Sequence, residues 1–427
     1  MEKIKIGMFM TLGIAVLAIY LGDFLRKMFP ILKKYCLPAS VVGGTLFAAV
    51  TLILYKTGIC ELSYDSSTVN SLFYCLFFAA SGAAASMALL KKGGKLVIIF
   101  AILAAVLAFF QNVISVGIGQ FLGTNPIIAL MTGSIPMTGG HGNAASFSPE
   151  AIKAVDALLE TAGKAPSVVA QIKAAVAPAS EVALASATFG LISGCIVGGP
   201  FGNFVIKKYK LEDPELDGKE DMAAASGESV GTPMYSNEIV SAVLMLCLAC
   251  GFGQGIFLIL KYFKMTLPIH VCCMFGGILV RLFLDSKKNT KESFYEALDT
   301  VGEFSLALFV SISIITMKLW QLEGLGIPMV IMLMAQVVFI IIFCYFLTFK
   351  LLGKNYDAAV MAVGHIGFGL GAVPVSMTTM QSVCKKYRYS KLAFFVVPVI
   401  GGFISNFTNA VIISNFISYC SKLVVGG

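Results

Sequence analysis

Residues 139–147 read GGHGNAASF, and residues 364–374 read GHIGFGLGAVP. Each stretch sets a histidine among glycines in an otherwise very apolar chain, one in each half of the sequence. A glycine can let two helices approach closely, or it can break a helix and free backbone N–H and C=O groups to face a solute. Isolated glycines suit the first role. Two polar, glycine-dense stretches in related positions favour the second, with Asn143, Ser146, Thr378 and Thr379 adding side-chain donors and acceptors.

The surrounding chain decides where such stretches lie. Hydrophobic residues make up 58% of its 427 residues and charged residues only 13%, which places it among polytopic membrane proteins. A hydrocarbon core about 30 Å thick needs about 20 apolar residues per helix. Ten segments meet that need, near 6–24, 38–55, 69–90, 96–122, 180–206, 236–260, 267–284, 299–317, 327–349 and 391–418. Two semi-apolar stretches, near 124–147 and 356–382, fit none of them. The first segment lacks a small-residue cleavage site and runs into Arg26-Lys27, so it reads as a retained helix.

A net charge of +8 would suggest nucleic acid in a soluble chain; here it is sorted by side of the membrane. With the N-terminus outside, about two-thirds of the 31 lysines and arginines fall in cytoplasmic loops, the positive-inside bias, and both termini are then outside. The eleven cysteines lie mostly within apolar segments and read as small reduced hydrophobes.

The halves align element by element. Leu37-Pro38 matches Leu267-Pro268, Gln111 matches Gln336, and Gly140-His141 matches Gly364-His365. GLISG from Gly190 matches GFISN from Gly402, and Asn203-Phe204 matches Asn415-Phe416. Residues 148–178 are an insertion in the first half only. Five helices is an odd number, so the second copy enters the membrane from the opposite side. The expected fold is an all-α membrane protein of two inverted five-helix repeats, 1–208 and 236–427, joined by a cytoplasmic linker at 209–235. The leftover stretches become re-entrant loops, the first dipping in from outside and the second from inside. Irregular backbone survives at that depth only where it is buried in protein or lines a wet cavity.

Other chemistries find little support. His141 and His365 belong to a set of three histidines without cysteine or paired carboxylate partners, so a hydrogen-bonding role fits them better than a transition metal. Gln111, Asn112 and Gln336, at mid-helix, either bridge helices or line a solute path. A solvated helix cap is the plain alternative for Glu181, Asp357 and Glu303; it is adopted for Glu303, whereas Asp357 opens the second re-entrant stretch. GESVG at 227–231 sits in the linker with no strand before it, and no phosphate-binding loop occurs. Neither an enzyme nor an ATP-driven pump is indicated.

GGHGNAASF, EVALASATFG, GKNYDAAVMAVGHIGFGLGAVP and FVVPVIGGF, in that order, resemble the glutamate:sodium symporter family of bacteria over essentially the whole chain outside the linker. The resemblance implies Na⁺-coupled import of glutamate across the bacterial inner membrane by a homodimer in the lipid bilayer, with elevator-like movement of a transport domain. It places the family's glycine motifs on Gly139, Gly140 and Gly142 in the first half and on Gly364, Gly367, Gly369 and Gly371 in the second; with the polar His141, Asn143, Ser146, His365 and Thr378 of the same stretches, these are the candidate substrate-binding residues. Gln111, Asn112, Gln336, Asp357, Asn406 and Asn409 are the candidate sodium ligands. Two positions depart from the family pattern: Val373 stands where a Thr is common and Asn406 where an Asp is expected. The alternatives are a proton- or sodium-coupled carrier of another amino acid or small carboxylate, and a passive channel.

Overall fold

A computed structural model describes residues 2–34, 37–84, 87–211, 236–262, 268–286, 291–322 and 325–426. Leu267 and most of the 209–235 linker, with its GESVG, lie outside them. Helix dominates, as it must where no water can satisfy backbone groups. In the first half the helices are α1 (Met8–Met28), α2 (Ala39–Lys56), α3 (Ser67–Ala83), α4 (Met87–Phe121), the short α5 (Pro126–Leu130) and α6 (Ser134–Met137), α7 (Gly140–Thr161), α8 (Pro166–Val176) and α9 (Ala179–Lys208). In the second they are α10 (Ser236–Tyr262), α11 (Ile269–Ser286), α12 (Glu292–Ile315), α13 (Gly326–Phe343), α14 (Tyr356–Leu370), α15 (Val373–Lys386), α16 (Lys391–Val399) and α17 (Ser405–Gly426). The all-α expectation needs one correction among the described residues: β1 (Glu2–Ile6) pairs in parallel with β2 (Cys60–Tyr64).

Nine helical spans of the described residues are long and apolar enough to cross a membrane. The tenth expected segment is α3, which stops at 17 residues. Ile98, Ile102, Phe109 and Phe110 of α4 are exposed while Phe100, Leu103 and Leu107 of the same helix are buried. A helix apolar on every side is what a lipid-facing span requires.

The helices pack as two bodies. In the first, α1 lies on α2 as α10 lies on α11, and α2 meets α12 where α11 meets α3. Contact α1–α12 has its counterpart in α10–α3, and α3 and α12 meet each other. Glycines set these crossings. A Cβ on Gly22 or Gly43 would strike the facing backbone of the α1–α2 pair, one on Gly253 or Gly276 that of α10–α11, and one on Gly82 or Gly277 that of α3–α11. Small residues let membrane helices approach backbone to backbone.

The second body gathers α4 to α9 and α13 to α17. Its contacts repeat in the same manner: α4–α17 answers α9–α13, and α7–α17 answers α9–α15. The stretches expected to be irregular loops are mostly helix. Residues 126–161 form one hairpin, α5 and α6 descending and α7 returning, and residues 356–386 form the other from α14 and α15. Irregular backbone is limited to the short tips, near 138–140 and at Gly371-Ala372, and to the break at 131–133 between α5 and α6, because a buried hairpin of helices satisfies its own N–H and C=O groups. The Gly140-His141 and Gly364-His365 motifs therefore occupy different places. Gly140 is at the tip of its hairpin, and Gly364 lies about two turns before the tip of the other.

Two wide π-helical turns interrupt this body, at Cys344–Thr348 and at Ile400–Ile404. The second follows Pro398, whose missing N–H and ring clash loosen the helix just upstream.

Candidate functional site

Where the bodies meet lies a cavity of about 830 Å³. The second body contributes Thr138, Gly139, Gly140, His141 and Gly142 from the first tip, and Gly371, Ala372, Val373 and Pro374 from the second. Pro398, Val399, Gly401, Gly402 and Asn406, around the second π-turn, complete that wall. The first body contributes Arg26, Ser40, Phe77, Ser81, Asp299 and Glu303 among others. The lining is thus mostly apolar and glycine, with a few convergent polar and charged groups, the usual make-up of a small-molecule site.

The two tips touch. Gly140 has φ +60°, and a Cβ there would lie 2.7 Å from the Gly371 carbonyl oxygen. Gly142 faces the other body, where a Cβ would meet Phe77 at 3.1 Å and Leu306 at 3.4 Å. His141 is held by Thr188 of α9, its Nε2 3.0 Å from the hydroxyl. Thr188 belongs to the EVALASATFG stretch, so two sequence motifs meet in one hydrogen bond.

Behind the tips runs a buried polar network that fixes their spacing. Gln111 of α4 donates from Nε2 to the Gly369 carbonyl at 2.7 Å and accepts at Oε1 from Thr138 at 2.6 Å. One side chain thereby ties both hairpins together. Gln336 of α13 donates to the Gln111 carbonyl at 2.7 Å and to Ser115 at 2.9 Å. In the break between α5 and α6, the Ser134 N–H donates to Asn112 Oδ1 at 2.8 Å, and Ser134 Oγ donates to Asn409 Oδ1 at 2.7 Å. Asn409 Nδ2 returns a bond to the Ser134 carbonyl at 3.0 Å. Asn112 Nδ2 and Gln336 Oε1 are buried without a protein partner.

The structure thus divides the residues singled out from the sequence. Gly139, Gly140, His141, Gly142, Gly371 and Asn406 line the cavity. Gln111, Asn112, Gln336 and Asn409 form the network beneath it. Asn143 and Ser146 are buried in α7, the Ser146 hydroxyl donating to the Asn143 carbonyl. Gly364, Gly367 and Gly369 are within α14, where an added Cβ would strike Val397 and Met380, the Ser376 backbone, and Ile340 and Leu107 respectively. These three pack helices together, the role set aside for them on sequence grounds. His365 sits among Phe100, Phe343 and Phe368 and is held by Thr348 at the first π-turn, 2.9 Å from Nδ1. Thr378 is exposed on α15.

Three carboxylates also need placing. Asp357 accepts from Ser390 at 2.7 Å, and Ser390 caps α16, so this pair clamps two helix starts away from the cavity. Glu181 is buried in the first turn of α9 and accepts the Lys318 N–H at 3.1 Å; it is not a solvated cap. Glu303 is not a cap either, because α12 begins at Glu292 and Glu303 lies about three turns in, on the cavity wall.

Arg26, Thr138, Ser134 and Asp299 were not singled out as site residues. Asp299, which shares a candidate membrane span with Glu296 and Glu303, is a signal the sequence did offer. Thr138 and Ser134 offered none, since hydroxyl residues are common in membrane helices. Among the described residues no three His, Cys, Asp or Glu side chains group as a metal site.

Fold and cavity together define a multi-pass helical membrane protein with a charged, part-enclosed cavity between two packed bodies. The family model for the sodium/glutamate symporter matches residues 4–389. A sodium/glutamate symporter of Escherichia coli (strain K12) is 34% identical over 407 residues, covering 95% of this chain and 96% of the relative. One of Haemophilus influenzae (strain ATCC 51907 / DSM 11121 / KW20 / Rd) is 34% identical over 411 residues, 94% and 95% of the two chains. The chain belongs to the sodium/glutamate symporter family.

Proposed function

We propose that this protein imports glutamate in symport with sodium ions, binding the solute where the two hairpin tips meet the cavity. The observation that carries this reading is the contact of Gly140 with the Gly371 carbonyl at the cavity wall. Tips so close, with three charged side chains opposite, suit a solute with two carboxylates and one ammonium. Sodium is a hard cation that prefers oxygen. The oxygens around the α5–α6 break, from Asn112, Ser134 and Asn409, are the proposed sodium ligands, with Asn406 nearer the solute. Coupling has an energetic reason: a monoanion entering a cell negative inside costs about 2.3 kcal/mol per 100 mV, and two or more sodium ions reverse that sign.

In this reading the halves are inverted repeats, which the paired helix contacts support, and the hairpins are re-entrant from opposite sides. Both termini are outside, and the linker is cytoplasmic in the inner membrane. The second body is the transport domain and slides, elevator-like, against the first within a homodimer. Gly142 against Phe77 and Leu306 offers the small, apolar contact such sliding needs. Arg26, Ser81 and Ala84 lie at the cytoplasmic ends of α1 and α3 in this topology, so the cavity opens inward.

Radiolabelled glutamate uptake into proteoliposomes tests the function. An imposed inward Na⁺ gradient should drive accumulation, and K⁺ or pH gradients should not. Flux that ignores sodium and never saturates would return the channel reading.

The topology has its own test. Cysteines replacing Thr161 and Lys386, both exposed, in a background with the exposed Cys247 changed to Ser, should react with an impermeant thiol reagent from opposite faces. Reaction of both from one face sinks the re-entrant arrangement.

A further inference from the structure

We propose that the end of the second body where α9 meets the first π-turn is a binding site for an anionic phospholipid headgroup. The inference rests on the cytoplasmic placement of this end and is independent of which solute the cavity takes.

Tyr345 lies within the π-turn that follows α13, and its hydroxyl is 3.1 Å from that of Tyr209, the residue that ends α9. Lys208 then lies over two rings, its Nζ 5.0 Å from the Tyr345 centroid and 5.3 Å from that of Phe204. Lys350, one turn beyond Phe346, lies 4.9 Å from the Phe346 centroid. Both ammonium groups are thus held beside rings at one place and still exposed to an approaching anion.

Charge and shape agree on the ligand. Lys207 and Lys210, both exposed, flank Lys208 and Tyr209 in the chain, and among the described residues none of these four lysines pairs with a carboxylate. Directly beside them, Phe204, Phe346, Leu347 and Leu351 are exposed apolar side chains. A soluble phosphate would need the first feature and leave the second unexplained. A phospholipid uses both, its phosphodiester on the lysines and tyrosine hydroxyls and its acyl chains along the phenylalanines. Basic clusters just cytoplasmic of membrane helices attract anionic lipid, and aromatic rings favour the same depth.

The full-length protein, purified in mild detergent and titrated with phosphatidylglycerol or phosphatidylcholine, is read by native mass spectrometry for bound lipid. Phosphatidylglycerol should bind the parent protein in preference to phosphatidylcholine. The double variant Lys208→Gln/Lys350→Gln should bind it about tenfold more weakly, Lys208→Arg/Lys350→Arg should retain it, and Lys261→Gln, at the other end of the molecule, should leave it unchanged. Equal binding of phosphatidylglycerol by the parent and the double glutamine variant overturns the site. So does displacement of the lipid by inorganic phosphate at low millimolar concentration, which would make it a site for a soluble anion.

Discussion

Gly140→Val abolishes glutamate uptake while the protein still inserts and purifies as well as the parent. At φ +60° any L side chain is strained, at a cost of order 1–3 kcal/mol, and here the new Cβ also meets the Gly371 carbonyl at 2.7 Å. That oxygen is backbone, so the contact is relieved only by moving a hairpin tip. The tips are short and border the cavity, and the contacts of α13 with α4 and with α9 do not pass through them. The strain therefore appears in the site and hardly in the fold. With 1.4 kcal/mol worth a factor of ten, an uptake loss of about a hundredfold is expected, alongside a melting temperature within a few degrees of the parent.

Gly367→Val is the contrasting case. Its Cβ would strike the Ser376 backbone inside the second hairpin, and neither residue lines the cavity. Overpacking there separates α14 from α15 and lowers the yield and melting temperature of the whole protein. Size-exclusion profiles and thermal melts of both variants, measured beside uptake, separate the two behaviours. Normal uptake by Gly140→Val, or selective loss of uptake by Gly367→Val with unchanged stability, would assign the glycines the other way round.

That contrast shows how far sequence reading reached. The apolar segments and the repeat were legible because hydrophobic length and motif order are local properties. The first tip was legible because Gly139, Gly140 and Gly142 surround a polar pair. The second was misread by one element: Gly364 and Gly367 are spaced i, i+3, the spacing of residues stacked on one helix face. Their density looked like a broken loop, and only the packing of Val397 and Ser376 against them distinguishes the two. The polar network was half legible. Gln111 and Gln336 stand out as amides in apolar spans, but Thr138 and Ser134 gain meaning only from what they face across 20 or more residues of chain. Arg26 looked like a topology marker because it lies at the end of a span. Its exposure to the cavity depends on how the bodies sit together.

The second large effect is expected at Gln111, because its side chain is the only described hydrogen-bonding bridge between the two hairpins. Gln111→Leu keeps the volume and removes both bonds, leaving the Thr138 hydroxyl and the Gly369 carbonyl buried without partners. Each such loss costs about 1–3 kcal/mol, and the buried Gly369 carbonyl cannot reach water without shifting its tip. Uptake should fall at least tenfold, with a raised half-saturating glutamate concentration, since the binding groups on the tips lose their fixed spacing. Gln336→Leu is the control. Gln336 bonds the Gln111 carbonyl and Ser115, both on α4, and so joins two helices without touching either tip. Bonds of that kind in a membrane contribute about 1 kcal/mol, so this variant should melt lower and keep its half-saturating glutamate concentration. Gln111→Glu refines the test: its carboxyl still accepts from Thr138, but when ionised it can no longer donate to Gly369. If the bridge sets the tip spacing, the Glu variant falls between the parent and Leu in glutamate affinity. A Gln111→Leu protein that transports with the parent's affinity would mean that the tips are held by their own packing and that Gln111 is one more interhelical amide.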